Sequence, residues 1–136
     1  MCKDLWITSS DDFSSWGGGD TSYHTQDLEA LIHAVDYVSM HTYPYHNSHY
    51  NPSFWKTPDH LMNFSENEKV DAAMMRALNF AKNQYYAVSN YMKSLGIEKP
   101  IHIGETGWAT ISNGHYGVNG SRATDEYKQG LYYKAL

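Results

Sequence analysis

The chain has 136 residues, a formal net charge of −5 at pH 7 and a sequence pI near 5.8. Because the chain is acidic and its lysines and arginines are scattered, nothing favours a nucleic acid or an anionic membrane as its partner. The length suits one modest domain and excludes a complete eight-stranded α/β barrel, which needs roughly 250 residues. We expect no membrane-spanning segment, because no apolar run of about 18 residues occurs.

Cysteine is nearly absent, whereas aromatic residues are abundant. A single cysteine, Cys2, allows no disulfide within the chain and no cysteine-based metal site. The 12 Tyr and 4 Trp are amphipathic rings that suit polar ligands with C–H faces, sugars above all. They could equally fill a partly hydrated core, and composition alone does not decide between the two roles.

In the first half of the chain, two strands are predicted to flank a helix. The apolar run at residues 5–8 predicts a strand, which breaks into a polar, glycine-rich loop. Apolar residues then recur at helical spacing and predict an amphipathic helix over about residues 22–34. The β-forming run at residues 37–43 predicts a second strand, which ends at Pro44. A long loop rich in aromatic residues and histidine follows, to about residue 64.

The second half contains the clearest helix. Ser65 and Glu68 have the spacing of a capping box, and Gly96 marks the C-terminal end. Between them one face carries a continuous apolar stripe, formed by Val70, Met74, Ala77, Ala81, Tyr85, Val88, Met92 and Leu95. A third strand ending at Glu105, a loop rich in glycine and asparagine, and a last helix from near Arg122 complete the chain.

The alternation of strands and helices predicts an α/β fold with parallel strands and right-handed crossovers. Three strands leave two open sheet edges. We therefore expect the 136 residues to be one partial domain, a piece of a larger α/β protein of barrel type.

The segment Gly104-Glu105-Thr106-Gly107-Trp108 is the most informative part of the chain. Strand interiors avoid glutamate, because a buried unpaired carboxylate is costly. At the carboxyl end of a parallel strand, however, a glutamate lies where α/β enzymes hold their catalytic groups. A surface acid or a helix N-cap is the simpler alternative for Glu105.

Two strand ends carry a recognisable signature. Residues 36–45 (DYVSMHTYPY) and residues 104–108 (GETGW) resemble the sixth and seventh strands of glycoside hydrolase family 17, the β-1,3-glucanases. Residues 5–11 and Trp16 are similar to the fifth strand of that family and the loop after it. The resemblance extends over essentially the whole chain but over only the second half of a family member. It implies a (β/α)8 TIM-barrel fragment of about three βα units, strands five to seven.

The resemblance also implies a retaining mechanism and assigns one catalytic residue. Glu105 matches the family's nucleophile on the seventh strand. The family's general acid/base is a second glutamate, after an asparagine, on the fourth strand. The Asn67-Glu68 pair lies in the cap of the long helix instead, so we expect the acid/base to lie outside this chain.

Four further residues are predicted to bind substrate. Alternation along the second strand puts Ser39, His41 and Tyr43 on one face, opposite Val38, Met40 and Thr42. We expect His41 or Tyr43 to donate a hydrogen bond to Glu105 or to a glucosyl 2-hydroxyl. Tyr45 and Trp108, just beyond strand ends, would be stacking platforms for sugar rings. For His41 and Tyr43 the alternative is a satisfied core residue, and for Trp108 it is a structural role in the loop.

No cofactor or metal is expected. His41, His46 and His49 could meet at a metal only if the loop after Pro44 folded back sharply, and no acid between them completes a ligand set. Solvated loop histidines explain them better.

The sequence therefore predicts the nucleophile-bearing part of a retaining laminarin-type (β-1,3-glucan) hydrolase or transglycosylase, with a polysaccharide or oligosaccharide as its partner. One alternative is another retaining barrel glycosidase, acting on β-1,4-glucan or galactan. Another is a non-catalytic remnant that binds glucan through its aromatic residues. We expect the full-length parent to act in the extracellular or periplasmic space.

Overall fold

The computed structural model describes residues 4–44, 59–108 and 126–136, which contain an open, parallel, three-stranded sheet in the order β1-β2-β3. The strands and α-helices follow each other as β1 (Ser10–Asp12), α1 (Gln26–Ala34), β2 (Val38–Thr42), α2 (Glu66–Ser94), β3 (Ile101–Thr106) and α3 (Glu126–Ala135). The expected start of the last helix near Arg122 lies outside the described residues. Within those residues, none of the helices has the length and apolarity needed to cross a membrane.

The predicted parallel α/β alternation is confirmed, but the predicted TIM-barrel fragment is wrong. Among the described residues the sheet is open: β1 and β3 each pair with β2 alone, so each forms an edge of the sheet. A barrel needs strands that continue the pairing until the sheet closes on itself. Nothing in the pairing of the described strands provides that closure.

The first strand does not lie where its apolar run predicted it. The predicted strand covers residues 5–8, whereas β1 is Ser10–Asp12 and all three of its residues are exposed. The apolar segment is held beside the sheet instead, because the Ile7 amide donates to the Asp36 carboxylate at 2.7 Å. Pairing with β2, rather than hydrophobicity, fixes the position of β1.

The two faces of the sheet differ sharply along β2. Val38, Met40 and Thr42 are fully buried, as the predicted alternation requires. Ser39 and His41 lie on the opposite face, next to their β1 partners Ser10 and Asp12.

A β-bulge interrupts the register between β2 and β3. Met40 pairs with Ile103, but the next residue, His41, pairs with Glu105, so Gly104 is an extra residue. Without a bulge, the two-residue period of a strand would put Glu105 on the face of Ile101 and Ile103. The bulge moves Glu105 to the face of His41 instead.

The main core lies against the apolar face of the sheet. Trp16 is 1% exposed, and its indole N–H donates to the Ser39 carbonyl at 3.0 Å, beneath β2. The cluster joins the sheet to α1, to the C-terminal part of α2 and to the segment before β3; its buried members are Trp16, Leu28, Ile32, Val35, Val38, Met40, Val88, Tyr91, Met92 and Ile97. Burial of these side chains is the principal force holding this region together.

The predicted ends of α2 are confirmed. The Ser65 hydroxyl and backbone amide donate to the Glu68 carboxylate at 2.7 and 2.9 Å, which lowers the pKa of Glu68 from its usual 4.5. Gly96 ends the helix with φ of +69°, a left-handed conformation that favours glycine. The predicted stripe is buried apart from Tyr85, which is 39% exposed, and Leu95, which is half-buried. Gln84 is buried instead and accepts a hydrogen bond from the Thr42 hydroxyl.

The chain divides into two compact units. One contains residues 1–42 and 82–106 and holds the sheet; the other contains residues 43–81 and 107–136. The second unit has its own core of Val70, Ala73, Met74, Ala77, Trp108 and Tyr132.

Candidate active site

The polar face of the sheet brings His41 and Glu105 together. The imidazole Nδ1 of His41 lies 3.4 Å from Oε2 of Glu105, slightly further than in an ordinary N–H···O hydrogen bond. The side chain of His41 is 18% exposed and that of Glu105 is 54% exposed. The carboxylate is therefore accessible to a ligand, while the imidazole beside it is largely shielded and held in place.

Two serines continue this contact across the sheet. The Nε2 atom of His41 lies 2.7 Å from the Ser10 hydroxyl, which lies 2.8 Å from the Ser39 hydroxyl. The contacts form a continuous polar line from Ser39 through Ser10 and His41 to Glu105.

Gly104 makes the close packing of this line possible. A Cβ atom at Gly104 would lie 2.0 Å from the Ser39 Oγ and 2.9 Å from the Ser10 Oγ, so any side chain there would displace these hydroxyls. The same glycine is the extra residue of the bulge that turns Glu105 toward His41. One small residue therefore orients the acid and leaves room for the serines.

A second acid, Asp12, shares this face and lies two strands from Glu105. Asp12 pairs with His41, which pairs with Glu105, so two strand spacings, about 10 Å, separate the two acids at the backbone. Asp12 also accepts a hydrogen bond from the Ser14 amide at 2.9 Å.

The other predicted substrate-binding residues lie in different surroundings. Tyr43 is 39% exposed, and its ring lies close to Gly107, where an added Cβ would come within 3.1 Å of it. Trp108 is 4% exposed and stacks on Tyr132 with ring centroids 4.9 Å apart. Contact between Trp108 and a sugar would require one of its faces to be uncovered. Tyr45 lies outside the described residues, and the binding roles of all of these residues stay predictions.

Of the three histidines weighed as metal ligands, His41 lies on β2, and His46 and His49 lie outside the described residues. Within residues 4–44, 59–108 and 126–136, no three histidine, cysteine or acidic side chains converge as metal ligands would. The nitrogens of His41 face a carboxylate and a hydroxyl instead.

Sequence reasoning missed Ser10 and the role of Gly104. The apolar run at residues 5–8 predicts the first strand, so Ser10 falls in the predicted loop after it. A signal for the bulge was present, since an isolated glycine inside a strand pattern is typical of bulges and close backbone approach. The bulge explains why Glu105 meets His41 rather than lying with Ile103.

Comparison with solved structures finds a clear similarity. The chain matches the crystal structure of an endo-laminarinase from Formosa Hel1_33_131 with 58% sequence identity and a TM-score of 0.87. The match covers 98% of this chain and 34% of that protein, so the chain spans about a third of its length. No protein-family profile and no curated protein sequence matches the chain. The chain is thus similar in sequence and structure to one part of a laminarinase.

Proposed function

We propose that this chain carries the catalytic nucleophile, Glu105, of a retaining β-1,3-glucan hydrolase or transglycosylase of glycoside hydrolase family 17. The substrate is a laminarin-type polysaccharide or an oligosaccharide derived from it. A substrate of that size suits an enzyme that acts in the extracellular or periplasmic space.

The observation that carries the proposal is the similarity to the endo-laminarinase, at 58% identity over 98% of the chain. At this identity, active-site residues and substrate class are commonly shared, although the chain spans only about a third of that protein. The geometry of the polar face supports the assignment independently, because an accessible carboxylate lies beside a shielded imidazole.

In the proposed reaction, one Glu105 carboxylate oxygen attacks the anomeric carbon of the glucosyl residue and forms a glycosyl ester. The bond from that carbon to the leaving oxygen breaks, and a second carboxyl group protonates the leaving oxygen. We place that second group outside these 136 residues. The second carboxyl group, now ionised, then takes a proton from water or a sugar hydroxyl, and that oxygen attacks the anomeric carbon. The bond from this carbon to Glu105 breaks and the carboxylate is restored, which gives hydrolysis with water or transglycosylation with a sugar.

His41 has a defined part in this reaction. An N–H on its Nδ1 atom faces Oε2 of Glu105, stabilises negative charge there and restricts rotation of the carboxylate. The attacking oxygen is thereby presented in a fixed direction, which lowers the cost of reaching the transition state.

The Glu105→Gln substitution tests the proposal in the full-length protein that contains this chain. It keeps the size of the side chain and removes its charge, so kcat on laminarin should fall by about three orders of magnitude or more. KM should change little, because the other contacts to the sugar are kept. Glu98→Gln, at an exposed position before β3, is the matched control and should retain normal kcat.

The stereochemistry of chemical rescue distinguishes the two possible roles of the carboxylate. Azide should restore activity to Glu105→Gly and yield the α-glycosyl azide, because the anion enters the space vacated on the nucleophile's side. A β-glycosyl azide would assign Glu105 the acid/base role. Near-normal hydrolysis by Glu105→Gln would refute the proposed function.

A further inference from the structure

The polar line across the sheet includes two serines, Ser10 and Ser39, for which the proposed reaction gives no role. A nucleophile and one hydrogen-bond donor need only Glu105 and His41, yet the second nitrogen of the imidazole is also held, by Ser10 at 2.7 Å. Ser10 is in turn held by Ser39 at 2.8 Å. Ser39 is 6% exposed, so the far end of the line is anchored in the interior.

The protonation of the imidazole ring determines which atom donates and which accepts in each of these hydrogen bonds. With a single ring proton, one nitrogen of His41 donates and the other accepts, and the partner of one nitrogen fixes the role of the other. The carboxylate of Glu105 can only accept when it is ionised, so Nδ1 must carry the proton that faces it. The Nε2 atom then accepts, and the Ser10 hydroxyl is the group placed to donate to it. The Ser10 oxygen is left to accept from the Ser39 hydroxyl.

We propose that Ser10 is a positioning residue which holds His41 in the Nδ1–H tautomer, so that its ring donates to Glu105. The inference rests on the proposed function for its catalytic consequence, while the tautomer itself can be measured separately. Ser10 touches neither the reacting carbon nor Glu105 in this scheme, and it acts only through the imidazole.

The surroundings of the serines match this role. Gly104 leaves the space that both hydroxyls occupy, so the bulge that aims Glu105 also admits the groups that orient His41. Ser10 pairs with Ser39 in the parallel sheet, which fixes the separation of their side chains through the backbone. The hydroxyls are therefore held by strand register as well as by their hydrogen bonds.

The test uses the full-length protein with 15N-labelled histidine, and the resonances of His41 are identified by their loss in His41→Gln. In the unsubstituted protein, Nδ1 should give the resonance of a protonated nitrogen and Nε2 that of a nitrogen with a free lone pair. Ser10→Ala should lower the ratio of the Nδ1–H to the Nε2–H tautomer roughly fivefold, because one hydrogen bond to Nε2 is lost. Ser10→Thr keeps the hydroxyl and should restore the ratio.

Kinetics on laminarin complete the experiment. We expect Ser10→Ala to lower kcat roughly tenfold with KM nearly unchanged, and Ser10→Thr to recover most of the loss. Ser9→Ala, the same substitution one residue away and off the polar line, should leave both kcat and the tautomer ratio unchanged.

The possible failures are distinguishable. An unchanged tautomer ratio in Ser10→Ala would overturn the inference. A changed ratio with normal kcat, in a protein that Glu105→Gln inactivates, would overturn the catalytic effect assigned to Ser10. If Glu105→Gln stayed active while Ser10→Ala shifted the tautomer, the proposed function would fail and the control of the tautomer by Ser10 would stand.

Discussion

The two faces of the three-stranded sheet come from the same short strands but perform different tasks. On one face, Val38 and Met40 are completely buried and join a core that also contains Trp16. On the other, Glu105 is 54% exposed beside His41. The difference shows how the two-residue period of a strand separates residues that stabilise the fold from residues that are available for chemistry.

The bulge at Gly104 changes the face of the sheet on which the next residue, Glu105, lies. Without the extra residue, Glu105 would share the face of Ile103, away from His41. The division of the sheet into a stabilising face and a polar face that carries Glu105 therefore depends on the bulge as well as on the alternation of side chains. Substitutions on each face, and at the bulge itself, can be used to test this account.

The largest effect on stability is expected from Met40→Ala on the apolar face. Met40 is fully buried, so truncation leaves a cavity and should lower the free energy of unfolding by about 2–5 kcal/mol. Ile103→Ala is the matched control, because Ile103 pairs with Met40 on that face but is 44% exposed. It should cost about 1 kcal/mol or less.

Chemical denaturation of both variants measures these costs. The contacts of His41 and Glu105 on the opposite face do not involve Met40, so the folded Met40→Ala protein should retain most of its kcat on laminarin. Equal costs for Met40→Ala and Ile103→Ala would contradict the claim that complete burial makes Met40 the more stabilising of the two residues.

A smaller effect on stability is expected from Gly104→Ala at the bulge. The added Cβ would overlap the Ser39 hydroxyl and force it to rotate away, which should cost about 1–3 kcal/mol and break its hydrogen bond to Ser10. In the double variant Gly104→Ala/Ser39→Ala the overlapping oxygen is gone, and the nearest Ser39 atom is its Cβ, at 3.3 Å.

The double variant should therefore recover about half of the stability lost in Gly104→Ala, a coupling that denaturation of the four proteins in the cycle measures. Purely additive losses would show that Gly104 is required for some reason other than its contact with Ser39.

Much of the sheet could be predicted from sequence because strand periodicity is a strong local signal. The alternation along β2 correctly separates Val38, Met40 and Thr42 from Ser39 and His41. The alternation along β3 fails after Ile103, because the bulge inserts Gly104 against β2. A bulge is defined by the pairing of two strands, so the pattern of either strand alone can suggest it but cannot establish its register.

The remaining errors come from contacts between residues distant in sequence. Ser10 belongs to a strand only because it pairs with Ser39, and its own segment is polar and exposed. Gln84 is buried because the Thr42 hydroxyl provides a partner for its amide, a requirement that the apolar stripe of α2 does not reveal. The stacking role of Trp108 stays a prediction, and its packing on Tyr132, which lies 24 residues further along the chain, is a contact that the sequence does not indicate.

The central claim is that Glu105 forms a covalent bond to the sugar, and trapping that intermediate tests it most directly. The full-length protein would be treated with a 2-deoxy-2-fluoro laminaribiosyl donor that has a good leaving group, which slows breakdown of the glycosyl ester. Peptide mass spectrometry should then find one added glycosyl group on Glu105. Stoichiometric labelling of a different carboxylate, with Glu105 unmodified, would contradict the account.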